Sequence, residues 1–176
     1  LKFSATPLQG VFVIELDRLE DERGFFARSY CAEDFAAQGL CAEFPQCSIS
    51  FNRKAGTLRG MHYQVEPHSE CKLVRCTMGA VYDVALDLRP NSASYKSWFA
   101  VELSAHNRRM LYIPKNVAHG FQSLRDDSEV LYQISTPYQP TASVGLRWDD
   151  RAFNISWPRP VACISEKDRL ILDFSL

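Results

Sequence analysis

Along most of this chain, short runs of β-branched and aromatic residues are cut by glycine, proline and Asn/Asp clusters, a rhythm that predicts strands rather than helices. Gly10-Val-Phe-Val-Ile-Glu-Leu16 is the first such strand, and Asp17 to Gly24 reads as a charged loop closed by glycine. Phe25 to Tyr30 resumes an extended pattern. Ala32 to Gln38 breaks it with good helix formers, acids in the first turn and Gly39 placed to stop a short helix. From Cys47 onward strands dominate: Cys71–Thr77, Ala80–Leu88, Ser97–Leu103, Met110–Ile113 and Glu129–Ser135, separated by turn residues such as Met78-Gly79 and Arg89-Pro-Asn91. The tail from Trp148 is irregular and marked by proline, with one helical turn expected after Ser165. The pattern predicts an all-β fold, an antiparallel sandwich or barrel of the jelly-roll kind with one or two short helices, and a single domain over residues 1–176.

Alternation along these strands also says which polar groups share a face with apolar ones. If Lys72 points into the barrel, so do Val74 and Cys76, while Leu73 and Arg75 lie on the other side. Tyr132 shares its face with Val130 and Ile134. An amine and a phenol are thereby placed among apolar neighbours, where each needs a partner or a ligand. The strand Gly10–Leu16 and the segment Phe25–Tyr30 are expected to form an open sheet edge that needs covering.

Charge changes this picture little. With 20 Lys+Arg against 21 Asp+Glu the formal net charge is −1, so there is no bulk basic footprint for nucleic acid or an anionic membrane. No apolar run is long enough to span a bilayer, and the first residues lack a signal peptide's apolar stretch, which points to the cytoplasm. Six cysteines are present without a Cys-x-x-Cys pair, so they read as buried free thiols.

Chemistry concentrates between Gly56 and Lys72, where Arg59, His62, His68, Glu70 and Lys72 fall within seventeen residues that have no helical period. A lone histidine in a β protein is most often a hydrogen-bonded core residue. His119, in Ile113-Pro-Lys-Asn-Val-Ala-His-Gly-Phe121, alters that balance, because it too is placed at the end of a loop between strands.

Over nearly its whole length the chain resembles the dTDP-4-dehydrorhamnose 3,5-epimerases and related nucleotide-sugar epimerases of the cupin superfamily. The stretches that carry the resemblance are Asp21-Glu-Arg-Gly-Phe-Phe26, Gly56-Thr-Leu-Arg-Gly-Met-His-Tyr-Gln64, Cys71–Thr77, Gly79-Ala-Val-Tyr-Asp-Val84, Ile113–Phe121, Glu129-Val-Leu-Tyr-Gln133 with Tyr138 beyond, Trp148-Asp-Asp150, Ile155-Ser-Trp-Pro158 and Ser165-Glu-Lys-Asp168. The resemblance implies inversion of C3, C5 or both in a nucleotide-linked 4-keto-6-deoxyhexose, with thymidine diphosphate as the expected carrier. Each of those carbons bears a proton made acidic by the neighbouring C4 carbonyl. Inversion needs a base on one face of the sugar, an acid on the other, and a group to hold the enolate between them.

By match to the family's motifs, His62 is implied as the base, Asp168 as the carboxylate that orients its ring, and Tyr132 as the acid. Lys72, aided by His119, would hold the C4 oxyanion. Arg59 and Arg23 fall on phosphate-binding positions, where planar guanidinium groups suit a diphosphate. Tyr138 resembles the aromatic that stacks on thymine, and Gln46 and Lys167 are further implied substrate contacts. No metal or other cofactor is implied. The chain departs from the family's pattern at Ala27-Arg28, at Gln46-Cys-Ser48 where a Gln-x-Asn is usual, and at Ser143 where a glutamate is usual. These departures lie on nucleotide and sugar contacts, while the proton-transfer set is complete, so a related sugar or a single inverted carbon would also read this way.

Two other readings compete. A metal-dependent cupin, a dioxygenase or isomerase, would use His62, Glu70 and His119 as ligands with His68 in reserve; Gln64 is a poor ligand, and Lys72 would bring a repelling cation. A non-catalytic nucleotide-sugar binder would have lost its acid or base, and here both are present. On the epimerase reading Glu70 and His68 become rim and loop residues. The resemblance further implies a homodimer in which the N-terminal segment reaches the neighbour's site.

Overall fold

In the computed structural model, which describes residues 1–174, two sheets lie face to face and a small hairpin stands apart. The strands are β1 (Lys2–Ala5), β2 (Phe12–Glu15), β3 (Leu19–Asp21), β4 (Gly24–Phe26), β5 (Gln46–Asn52), β6 (Thr57–Gln64), β7 (Lys72–Met78), β8 (Ala80–Asp87), β9 (Trp98–Ser104), β10 (Met110–Ile113), β11 (Val117–Ser123), β12 (Ser128–Ile134), β13 (Ser143–Gly145) and β14 (Cys163–Ile164). Two short helices, α1 (Ala32–Ala37) and α2 (Glu166–Arg169), complete the set. The first sheet runs β1-β2-β10-β7-β12-β5 and the second β13-β6-β11-β8-β9, with β14 added parallel to β6. This is the expected cupin-like jelly roll.

Each sheet is covered on both sides, so the described residues form three apolar clusters. Between the sheets, Val74, Cys76, Leu111 and Val130 of the first meet Val81, Ala85, Leu103, Val117 and Phe121 of the second. Outside the first sheet, Phe35 of α1 is fully buried against Ile14, Leu73, Met110 and Tyr112, with Tyr30 and Phe44 closing over it. Outside the second sheet, Leu146, Phe153 and Ile155 from the irregular tail cover Met61, Val84, Leu86 and Ala118. Cys76 belongs to the inner cluster and Cys71 to the one under α1, on opposite faces of the first sheet.

Several expectations need correction. Gly10–Leu16 is not an edge: β2 is paired on one side by β1 and on the other by β10. Of Phe25–Tyr30, only the start is strand, and it pairs with β3 as an exposed hairpin. The cysteines are free, but only Cys71 and Cys76 are buried; Cys47 and Cys163 are exposed. Histidines 62 and 119 do not end loops, since each lies inside a strand, directly opposite the other in the pairing of β6 with β11. Among the described residues no helix is long and apolar enough to cross a membrane.

Candidate functional site

A cavity of about 730 Å³ opens between the sheets at the end of the inner apolar cluster. It is lined by Gln46, Arg59, His62, Lys72, His119, Tyr132, Tyr138, Lys167 and Asp168, so every residue implied for the epimerase site lies here except Arg23. Arg23 sits on the β3–β4 hairpin, largely exposed, with its guanidinium on Asp21 at 2.5 Å. Within one chain it is not part of the site.

The wall formed by the second sheet depends on an irregularity in β6. Regular alternation would turn Arg59 and His62, three apart, to opposite faces. Here Arg59 pairs with Phe121 and His62 with His119, so three steps along β6 match two along β11. This β-bulge brings both side chains to the cavity. Gly60 permits it, with φ of +119° and a backbone so close to β11 that an added Cβ would sit 2.5 Å from Gly120 Cα.

His62 Nε2 lies 2.7 Å from Asp168 Oδ1, while the Gly60 N–H donates to the other carboxylate oxygen at 3.4 Å. Asp168 stands on α2, whose cap Ser165 accepts the Asp168 N–H through its hydroxyl oxygen. Burial pushes the Asp168 carboxyl up, but the hydrogen bond and charge of His62, together with the Gly60 and Ser165 groups, outweigh it and leave the pKa below the ordinary carboxylate value. A second pair stands beside the first: His119 Nε2 is 2.9 Å from Asp83 Oδ2, and both side chains are buried. Asp83 was not anticipated, although a carboxylate alternating with Val81 and Ala85 on an apolar strand face was a signal for it.

The first sheet supplies the opposite wall. Tyr132 projects from β12 toward His119, ring centroids 5.9 Å apart in an edge arrangement. Its phenol is held above its usual range, first by burial and then by the Asp83 charge, with Ser50 and Arg59 opposing. Lys72 opens β7; its Nζ is 2.7 Å from Glu70 Oε1 and donates to the His62 carbonyl at 3.1 Å. Glu70 is therefore not a rim residue: it is buried, and its second oxygen accepts the Gln64 N–H at 3.0 Å. At the mouth, Arg59 Nε donates to the buried Asn52 side chain at 2.8 Å, and Gln46 accepts the Tyr138 N–H at 2.9 Å. Tyr138 is 53% exposed, with its ring free to meet a planar group.

These pairings disperse the proposed metal set. Glu70 is committed to Lys72, His68 lies outside the cavity lining, and among the described residues no three His, Cys, Asp or Glu side chains converge as ligands. Of the basic side chains lining the cavity, His62, Lys72 and His119 each pair with a carboxylate of their own.

The chain matches the family model described as dTDP-4-dehydrorhamnose 3,5-epimerase over residues 5–175. It is 42% identical over 164 residues to the dTDP-4-dehydrorhamnose 3,5-epimerase of Shigella flexneri, covering 93% of this chain and 90% of that relative. The crystal structure of the Bacillus anthracis dTDP-4-dehydrorhamnose 3,5-epimerase with TDP and PPi bound is similar at a TM-score of 0.94 and 35% identity, covering 98% of this chain and 99% of that one. A more distant likeness, at a TM-score of 0.87 and 26% identity over 96% of this chain and 85% of the other, is to a 3'-monoepimerase from Streptomyces bikiniensis in complex with dTDP-quinovose.

Proposed function

Because the chain belongs to the dTDP-4-dehydrorhamnose 3,5-epimerase family, we propose that it inverts C3, C5 or both in a dTDP-linked 4-keto-6-deoxyhexose. The observation that carries this reading is that a histidine–carboxylate pair and a buried phenol stand on facing sheets of one cavity, where they can serve as base and acid. The His62–Asp168 pair comes from β6 and α2, and Tyr132 comes from β12.

Asp168 engages Nε2 of His62 and leaves Nδ1 to take the proton from carbon. The electrons move toward the C4 oxygen, where the Lys72 ammonium, with His119 beside it, stabilises the enolate; a preorganised donor of this kind contributes about 3 kcal/mol. Tyr132 then gives its proton from the opposite face, and the carbon is inverted. No metal or cofactor enters the scheme. Arg59 and Lys167 neutralise the diphosphate, Gln46 fixes the Tyr138 backbone, and the Tyr138 ring stacks on thymine. Residues 1–176 act as one domain, as a cytoplasmic homodimer in which Arg23 reaches the neighbour's diphosphate.

The test is deuterium exchange at C3 and C5 of dTDP-linked 4-keto-6-deoxyhexoses in heavy water, followed by NMR with and without a chelator. Exchange and epimer formation are expected in both conditions, and His62→Ala is expected to abolish exchange at both carbons. Near-normal exchange by His62→Ala would remove it as the base, and loss of activity on chelation would restore the metal reading.

A further inference from the structure

We propose that Glu70 is a positioning residue for Lys72: its carboxylate fixes the ammonium at the reacting end of the cavity and keeps it charged while the enolate forms. This rests on the epimerase reading above. Both side chains are withdrawn from water, Lys72 to 12% and Glu70 to 4% exposure. An amine in such a place favours its neutral form unless an anion faces it, and a neutral amine cannot stabilise an oxyanion.

The charged and titratable side chains lining the cavity with Lys72 include Glu70 from the segment before β7, Arg59 and His62 on β6 with Asp168 behind His62, His119 on β11 with Asp83 behind it, Tyr132 on β12 and Lys167 on α2. Asp168 and Asp83 are already committed to their histidines. Glu70, 2.7 Å from Nζ, is the carboxylate left for the lysine.

Geometry makes it a holder as well as a counter-ion. An ammonium has three N–H donors. Here one meets Glu70 and one the carbonyl of His62, which leaves one for the C4 oxygen of a sugar lying against the base. Glu70 is itself braced, because its other oxygen accepts the Gln64 N–H. The Gln64 side chain in turn accepts the Gln139 N–H at 2.6 Å and donates to the His68 carbonyl at 3.0 Å. The platform thus ties the ammonium to the loop that carries Tyr138.

The experiment compares the pH dependence of exchange in wild type and Glu70→Gln, with thermal unfolding and dTDP affinity measured in parallel. Glu70→Gln keeps an oxygen acceptor but removes the charge. Its rate is expected to fall off at a pH lower than wild type's by at least about one unit, a deficit of about tenfold on the alkaline side, with dTDP affinity within about twofold. Burial holds the Tyr132 phenol high, so a displaced alkaline limb is not the phenol's. Glu70→Ala is expected to lose more activity and to regain part of it in formate, a response that a purely structural role would not give. Wild-type rate and alkaline limb in Glu70→Gln, or a folded Glu70→Ala indifferent to formate, overturns the proposal alone. Absence of exchange in the wild-type protein removes the epimerase reading and this inference together.

Discussion

Tyr132 stands in an apolar wall, with Val130 and Val74 in the same cluster, and that setting governs its chemistry. Burial raises its pKa, so the phenol remains protonated through neutral pH and can give a proton but not readily take one. Tyr132→Phe keeps the ring and removes the donor. His62 can still lift a proton and return solvent deuterium to the same face. Exchange is therefore expected to persist within about tenfold of wild type while epimer formation drops about a hundredfold, the usual scale for loss of a general acid. NMR reads both in one sample, and equal loss of the two would remove Tyr132 as the opposite-face acid. Alternation grouped Lys72 with Val74 and Cys76, and Tyr132 with Val130 and Ile134, and the structure turns both groups inward. Alternation could not place Glu70, because Pro67-His68-Ser69 before it reads as loop, and a buried ion pair leaves no trace in a two-residue period.

At the scale of elements, the legible strands and the functional ones overlap only in part: β7 and β12, which carry Lys72 and Tyr132, belong to both. The apolar runs of β7, β8, β9, β10 and β12 were visible in the sequence to within a residue or two. The limits of β5, β6 and β11 were not, and these carry Gln46, Arg59, His62 and His119. Polar groups on the inward face break the apolar alternation that marks a strand, and β11 is buried throughout on both faces, which erases alternation altogether. The bulge in β6 is a tertiary feature that needs its partner strand to define it. It yields a sharp prediction at Gly60. A methyl there would meet Gly120 Cα at 2.5 Å and the His119 carbonyl at 2.9 Å, on a backbone at φ +119° that side chains rarely adopt. Gly60→Ala is expected to cost about 3 kcal/mol in denaturant unfolding. Because β6 must shift away from β11, it should also lower exchange by re-aiming Arg59 and His62 together. Unchanged stability would mean that β6 relaxes at no cost, and the bulge would not be what fixes the two side chains.

For the whole molecule, the remaining question is what the β3–β4 hairpin is for. It exposes Leu19 and Phe26 to 71% and 74%, buries little, and holds Arg23 away from the cavity of its own chain. A hairpin with two large exposed apolar side chains is marginal alone and gains most from docking on another surface. In a two-fold dimer that exchanges this hairpin, each site combines one subunit's His62 with the other's Arg23, and the arrangement can be tested by mixing variants. A subunit carrying His62→Ala still offers Arg23, and one carrying Arg23→Ala still offers His62. Their heterodimer contains one site with both defects and one with neither. Co-refolded in equal amounts, two weakly active variants should therefore recover roughly a quarter of wild-type activity by statistics alone. If Arg23 served its own chain, every site in the mixture would keep at least one defect, and activity would stay at the mean of the two parents. The recovered fraction in a plain turnover assay thus separates exchange between subunits from a purely local role for Arg23.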